Sequence, residues 1–242
     1  MKIEICANSF ASAKSAQDAG ADRIELCTEL SVGGLTPSYG LLEKVCSELN
    51  IPVHVLIRPR SGDFTYSEEE LDVMLRDIAL CNKLGSAGIV SGALTADLKI
   101  DIEKTHRLIR ASEGMEFTFH RGFDWVENPA EELQKLMDLQ VNRLLSSGQK
   151  STAIFGISLL KQLKIHSEGK IEIMPGSGIN IDNALEFKEA GFTSIHFSAT
   201  TKKQVLSQRP AVSMHSEAFF KEGIVATSNK ETIKRIIQHI SD

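Results

Sequence analysis

Short apolar runs alternate with longer amphipathic runs along most of the chain. The short runs have the length and composition of strands, while the longer ones repeat their apolar residues with the helical period of about 3.6. The alternation therefore predicts eight strands, each followed by a helix. The predicted strands are Ile3–Cys6, Arg23–Cys27, Val53–Arg58, Gly88–Ser91, Glu116–Arg121, Arg143–Ser147, Ile171–Met174 and Ser194–Ser198.

Sequence signals at the helix ends support this division. Gly20 offers the left-handed conformation that ends a helix, and Ser67 with Glu70 has the spacing of a capping box. Pro129 suits the first turn of a helix, where its missing N–H is harmless. Besides the segments that Asp101 and Pro129 begin, the predicted helices are Ser9–Ala19, Tyr39–Leu49, Ser67–Leu84, Thr152–His166, Ile181–Ala190 and Lys230–Ile240.

Eight successive strand–helix units predict parallel strands that close into an α/β barrel, a single (βα)8 TIM-type barrel. A doubly wound open sheet is the alternative, but Cys6-Ala7-Asn8-Ser9 after the first strand lacks the glycine-rich phosphate fingerprint of that fold. No linker divides the chain. We therefore expect one domain over residues 1–242, with a less regular segment at 200–229 before the last helix.

The alternation of side chains along the strands places charge inside the barrel. The outer face must pack on helices, so Ile3 and Ile5 point outward, whereas Glu4 and Cys6 point inward. Such interiors are normally filled by Val, Ile and Leu, and buried charge is costly unless it is paired. Two interpretations stay open: an internal salt-bridge network, or a polar pocket at the C-terminal mouth. The inward charged and imidazole side chains are Glu4, Arg23, Glu25, His54, Arg58, His120, Glu172 and His196.

Composition narrows the class of protein. The chain has 242 residues, 42% hydrophobic and 24% charged, with a net charge of −5. This acidic balance argues against nucleic-acid binding. No apolar run approaches the roughly 18 residues of a membrane span, and the first residues read as a strand rather than a signal peptide. We expect a cytoplasmic protein with reduced cysteines and with neither nucleic-acid nor membrane partners. A barrel that exposes its N-terminal face can pair with itself, so a homo-oligomer is an option.

Two cysteines lie at the ends of neighbouring predicted strands. Cys6 and Cys27 share the inward parity, so their thiols are expected to lie close together and suit a soft ion such as Cu(I). Met174 is a further candidate soft ligand. The alternative is that both cysteines are simply small buried hydrophobes. Cys46 and Cys81 fall on apolar helix faces and are expected in the core.

Polar loops after the third and fifth strands suggest other chemistry. Arg58 and Arg60, separated by Pro59, form a candidate anion clamp. His120 near Asp124 suits acid–base work, with a loop anchor as the alternative interpretation of Asp124. The candidate catalytic residues are His120, Arg58, Asp124 and Glu25.

The loops after the seventh and eighth strands are where many such barrels hold a phosphate. The seventh is glycine-rich and the eighth carries a serine at its start. A tight turn is the alternative interpretation of the glycines. The candidate anion-binding residues are Arg58, Arg60, Gly176, Ser177, Gly178 and Ser198.

At this point the chain resembles the CutC copper homeostasis family. The matching segments are Glu4-Ile5-Cys6, Gly20-Ala21-Asp22-Arg23-Ile24-Glu25-Leu26-Cys27, Gly33-Gly34-Leu35-Thr36-Pro37-Ser38, Ile57-Arg58-Pro59-Arg60 through Gly62-Asp63-Phe64, Thr118-Phe119-His120-Arg121 and Met174-Pro175-Gly176-Ser177-Gly178-Ile179. From Thr200 onward the match is looser, with Val212-Ser213-Met214 as its best patch. The resemblance implies a cytoplasmic barrel associated with copper tolerance, and Cu(I) as the copper species held by Cys6 and Cys27.

Two functional hypotheses follow. The first is a copper homeostasis protein that binds Cu(I) at the barrel mouth. The second is an enzyme acting on a small anionic or phosphorylated molecule in the same mouth, because arginines, carboxylates, a histidine and glycines are not required for copper binding alone.

Overall fold

The computed structural model describes residues 1–208, 211–212 and 224–241. Its eight parallel strands lie in the order β7-β6-β5-β4-β3-β2-β1-β8. A parallel bridge between Gly176 and His196 brings β7 to β8 and closes the ring. The predicted (βα)8 barrel is therefore confirmed. The strands are β1 Lys2–Ala7, β2 Arg23–Leu26, β3 Val53–Leu56, β4 Gly88–Ser91, β5 Glu116–Phe119, β6 Arg143–Ser146, β7 Glu172–Pro175 and β8 Ser194–Phe197.

Each of the first seven strands of the ring is followed by a helix, and the last helix follows a two-stranded hairpin after β8. Short 3-10 turns add Leu30–Val32 after β2 and Arg121–Trp125 after β5. The helices are α1 Phe10–Ala19, α2 Tyr39–Glu48, α3 Glu68–Lys83, α4 Ile102–Ala111, α5 Pro129–Asp138, α6 Ile157–His166, α7 Ala184–Glu189 and α8 Lys230–Ser241.

The helix α7 is shorter than the predicted Ile181–Ala190. Its first predicted turn is replaced by local side-chain hydrogen bonds: the N–H of Asn180 donates to Asn183 Oδ1 at 2.9 Å, and the N–H of Asp182 donates to Asn180 Oδ1 at 2.8 Å. Asn side chains compete in this way with the helical backbone pattern, so the helix begins only at Ala184.

A two-stranded antiparallel hairpin joins the barrel to its last helix. It pairs β9 Thr200–Gln204 with β10 Ile224–Ser228, at the two ends of the segment expected to be less regular. The N–H of Ser228 donates to Ser12 Oγ in α1 at 3.0 Å, which ties β10 to the barrel wall. In the patch Val212-Ser213-Met214, Ser213 and Met214 lie outside the described residues.

The apolar residues divide into two cores. The larger core lies between strands and helices and includes Ile5, Ile24 and Phe117, as the outward parity of these strands predicts. Inside the barrel the apolar cluster is small: Cys6, Cys27, Leu56 and Val90. Most of the remaining interior is polar. Among the described residues, no helix has both the length and the apolar character to cross a bilayer.

Candidate functional site

Two thiols lie below the barrel mouth, with Cys6 nearer the opening than the fully buried Cys27. Cys6 at the end of β1 and Cys27 just after β2 bring their sulfur atoms to 3.6 Å, and both thiols are free. The parallel register pairs Cys6 with Glu25, whose Oε1 lies 3.7 Å from the Cys6 sulfur. Cys27 is fully buried and Cys6 is 8% exposed. The inward parity predicted for both cysteines therefore brings their sulfurs into contact.

Glu4 carries the central charge cluster of the barrel. It lies on β1, in register with Arg23 on β2 and His196 on β8. The Nε of Arg23 donates to Glu4 Oε2, and Nδ1 of His196 lies 2.7 Å from Glu4 Oε1. Arg23 also donates to the sulfur of Met174 at 3.2 Å. The Met174 thioether on β7 thus accepts a hydrogen bond from the guanidinium of Arg23 on β2.

A second charge cluster occupies the N-terminal end of the barrel around Arg143. Its guanidinium donates to Glu172 Oε2 at 2.8 Å, to Glu116 Oε2 at 2.9 Å and to Thr118 Oγ1 at 3.0 Å. The charge of Arg143 is thus paired with two carboxylates within this cluster. The interior charge therefore has two parts: a paired network at the bottom, and groups nearer the top that border the mouth.

The groups near the C-terminal end of the barrel favour the protonated form of the Cys6 thiol. The hydrogen bond between Cys6 and Cys27, burial and the nearby Glu25 raise the pKa of Cys6 well above its ordinary value. Burial also raises the pKa of Glu25. For His196, burial opposes the charged form, but Glu25, Cys6 and Glu4 outweigh it and raise the pKa. Glu4 is buried as well, yet the hydrogen bond from His196 and the charge of Arg23 lower its pKa.

Above the thiols lies a cleft of about 2090 Å³. It opens at the C-terminal ends of the strands, where active sites of this fold are found. Its lining includes residues from both the predicted catalytic set and the predicted anion-binding set. The predicted site residues that line it are Cys6, Glu25, Arg58, His120, Ser177, Gly178 and Ser198.

Arg58 and Arg60 do not act as a pair. Arg58 is buried, and its Nη1 donates to the carbonyls of Val32 at 2.6 Å and Gly34 at 3.1 Å. Arg60 turns away to Glu70, with which its Nε forms an ion pair, and lies outside the cleft lining. The intervening proline separates the two guanidiniums, so the predicted two-arginine clamp is not formed.

His120 and Asp124 are also directed apart. Nδ1 of His120 accepts the N–H of Gly122 at 3.2 Å. The Asp124 carboxylate accepts from Ser146 Oγ at 2.6 Å and from the N–H and Oγ of Ser147 at 3.0 and 2.9 Å. Asp124 therefore has the geometry of the loop anchor that was the alternative interpretation, and a His–Asp acid–base pair is not present.

The glycine-rich loop after β7 is a tight turn that borders the cleft. Ser177 and Gly178 have φ values of 87° and 70°. Ser177 Oγ donates to the carbonyl of Ser151 at 3.0 Å, and a Cβ on Gly178 would lie 2.6 Å from Thr152 Cγ2. Gly176 takes part in the bridge that closes the barrel. The loop therefore forms the tight turn of the alternative interpretation and also lies at the barrel mouth.

Sequence reasoning assigned no role to Glu4 and His196. Strand parity placed both inside, but their contact joins the first strand to the last one, 192 residues away. The signal that identifies the pair is the closure of the ring, which places β8 beside β1 in register Glu4–His196. His196 also borders the cleft and contacts Cys6.

These features define a class: a TIM-type barrel whose mouth holds a thiol pair beside buried charges. Comparison with known proteins gives the family. The sequence model of the CutC family matches residues 1–201. The chain is 40% identical over 242 residues to a family protein CutC of Glaesserella parasuis, covering 100% of this chain and 99% of that one. It is 48% identical over 211 residues to a family protein CutC of Pasteurella multocida, covering 87% and 86%.

A solved structure agrees with this assignment. The proposed copper homeostasis protein CutC of Streptococcus agalactiae superposes with a TM-score of 0.77 at 33% identity, over 82% of this chain and 98% of that one. The chain belongs to the CutC family, as its motifs predicted.

Proposed function

We propose that this protein binds Cu(I) through Cys6 and Cys27 below the barrel mouth, in the service of copper homeostasis. The observation that carries the proposal is the 3.6 Å contact between the two free sulfurs beneath an open cleft. The description of the streptococcal relative as a copper homeostasis protein supports the same role.

The donor set fits a soft ion. Ligand atoms of Cys6, Cys27 and Glu25 all lie within 4.8 Å of one another. Thiolate sulfur favours Cu(I), whereas a single carboxylate offers too little for hard cations that prefer oxygen ligands throughout. The two sulfurs would hold the ion, while Glu25 and His196 border the pair.

Binding would have to displace protons. The raised pKa of Cys6 keeps its thiol protonated at neutral pH, and a metal ion binds the thiolate. The buried Glu25 carboxylate lies 3.7 Å from the Cys6 sulfur and can pass the thiol proton on to solvent. Binding should therefore release protons and strengthen as the pH rises.

The test is an anaerobic titration of the reduced full chain with Cu(I) against a chromogenic Cu(I) chelator. We expect one equivalent per chain, and X-ray absorption at the copper edge should show two sulfur neighbours. The double variant Cys6→Ser/Cys27→Ser should lose this binding. The matched control is Cys46→Ser/Cys81→Ser, which also removes two thiols but should bind as the wild type does. Equal binding by both double variants would refute the proposal.

We also propose that the protein acts in the cytoplasm. Its four cysteines are all free among the described residues, and the thiol site requires reducing conditions to stay free. Fractionation of cells that express the tagged full chain should recover it with the cytoplasmic fraction. Recovery from another compartment would contradict this placement.

A further inference from the structure

Arg58 is a buried cation without a carboxylate partner. Three arginines are buried within the described part of the chain, and two of them pair with acidic side chains, Arg23 with Glu4 and Arg143 with Glu116 and Glu172. Arg58 is 4% exposed, forms no ion pair with a described residue, and donates to loop carbonyl oxygens beside the Tyr66 hydroxyl. Since a buried charge is costly without a counter-charge, the uncompensated charge of Arg58 would be stabilised by a bound anion.

The hydrogen bonds of Arg58 to backbone carbonyls do not use all the N–H groups of its guanidinium. Nη1 donates to Val32 and Gly34, and Nη2 donates to the carbonyl of Gly62 at 3.2 Å. A guanidinium has five N–H donors. Its buried Nε has no hydrogen-bond partner among the described residues, and Arg58 is one of the residues that line the cleft.

His120 supplies a second unpaired donor. Its Nδ1 accepts the N–H of Gly122, so the proton of the neutral ring resides on Nε2. Burial, together with the charge of Arg58, lowers the pKa of His120 to about 3 and keeps the ring neutral. Nε2 is buried and has no acceptor within the described chain. The ring is 4% exposed and lines the same cleft.

A shared aromatic ring brings the two donors together. The Arg58 guanidinium carbon lies 4.7 Å from the centroid of Phe64, and the His120 ring centroid lies 4.5 Å from the same point. Phe64 also lines the cleft. Arg58 and His120 therefore both pack on Phe64, and all three residues line the same cleft.

We propose that Arg58 and His120 bind an anionic oxygen group, a carboxylate or a phosphate, of a small molecule that enters the cleft. The guanidinium supplies the charge and the imidazole N–H supplies a directed neutral donor. The site differs from the thiol pair and does not depend on the copper proposal. It retains Arg58 from the expected anion-binding set and joins it with His120 rather than with Arg60 and the glycine-rich loop.

The probes are inorganic phosphate and acetate, each titrated into the full chain at constant ionic strength with chloride as the balancing anion. Imidazole NMR resonances report on His120 directly. We expect a saturable shift of the His120 Nε2 and Hε1 signals with at least one probe. The probe that saturates at the lower concentration identifies the anionic group. Absence of a saturable shift with both probes overturns the proposal.

Arginine variants supply the matched comparison. Arg58→Gln should weaken binding at least tenfold, while Arg60→Gln, two residues away and paired with Glu70, should bind as the wild type does. Equal affinity of the two variants contradicts the proposal. Because Arg58 also holds three loop carbonyls, His120→Phe is a second variant. It keeps an aromatic ring on Phe64 but lacks the donor, so phosphate or acetate should raise its thermal midpoint less than that of the wild type.

The thiol variant separates the two proposals. Cys6→Ser/Cys27→Ser should retain the saturable anion response in full. Loss of the response in that variant would show that the anion binds at the thiols, and would overturn the assignment to Arg58 and His120.

Discussion

Nδ1 of His196 lies 2.7 Å from Oε1 of Glu4, so a buried ion pair joins the last strand of the barrel to the first. Glu4 is fully buried and also accepts from Arg23 on the other neighbouring strand. One carboxylate on β1 thus compensates positive groups on both neighbouring strands, β2 and β8.

Replacing Glu4 should therefore cost much more stability than replacing an exposed glutamate. Glu4→Gln leaves Arg23 and His196 buried without their anion, and we expect a loss of about 4 kcal/mol in the free energy of unfolding. The measurement is urea denaturation at pH 7. The control is Glu48→Gln, whose partner Lys44 is exposed with it, and which should change stability by less than about 1 kcal/mol. Similar losses in both variants would contradict the central role of Glu4.

Two buried histidines should make the protein less stable in mild acid. Burial lowers the pKa of His54 to about 4, and burial with the charge of Arg58 lowers that of His120 to about 3. In the unfolded chain both rings take up protons near pH 6.5. Stability from these rings is therefore present above pH 6.5 and is lost as the pH falls toward 4. His196 has a raised pKa and stays charged in the folded chain, so its contribution to the slope has the opposite sign and fades below pH 6, where the unfolded ring is charged too.

The size of this effect can be measured by denaturation at several pH values between 6.5 and 4.5. Below pH 6, each histidine should contribute up to about 1.4 kcal/mol per pH unit. His54→Gln removes one titrating ring, so its slope should be smaller than that of the wild type by up to about 1.4 kcal/mol per pH unit. An identical slope in wild type and variant would exclude His54 as a source of the pH dependence.

Close packing against His54 should make Gly88 sensitive to substitution. A Cβ at this β4 position would lie 2.6 Å from the His54 ring, inside van der Waals contact. We expect Gly88→Ala to destabilise the fold by about 1–3 kcal/mol through overpacking. The control is Gly40→Ala in α2, where nothing lies within 4 Å and the helix should gain up to about 1 kcal/mol. Thermal unfolding of both variants tests the contrast, which a destabilised Gly40→Ala variant would contradict.

Asp124 should act on loop stability rather than on metal binding. Its carboxylate accepts from Ser146, Ser147 and the N–H of Gln149, which fixes the loop after β6. Asp124→Ala should lower the free energy of unfolding by about 3 kcal/mol, as expected for hydrogen bonds to a charged group. Cu(I) affinity should not change. Asp72→Ala, which breaks only an exposed pair with Arg76, should leave stability within about 0.5 kcal/mol.

The sequence predicted the inside of the barrel better than it predicted the loops. Strand parity placed Cys6 and Cys27 on one interior face, and their sulfurs are in contact. It also placed Glu4 and His196 inside without relating them. In the loops, residue proximity along the chain was misleading: Arg58 and Arg60 diverge, and Asp124 binds the next loop rather than His120. These loops turn back on the barrel, and each turn changes the direction in which the following side chains point. The periodicity of apolar residues in the sequence carries no information about such turns.

The hydrophobic and polar pattern by itself determined the eight strand–helix units, the outer apolar core and the inward direction of the charged side chains. These features follow from periods of two and about 3.6 residues, which are local properties of the chain. Only the tertiary structure determined which charged side chains form ion pairs with each other. Glu4 reaches His196 because the ring closes, Arg143 is neutralised by Glu116 and Glu172, and Arg58 is left without a carboxylate. Those outcomes depend on strand register and loop path between residues distant in sequence.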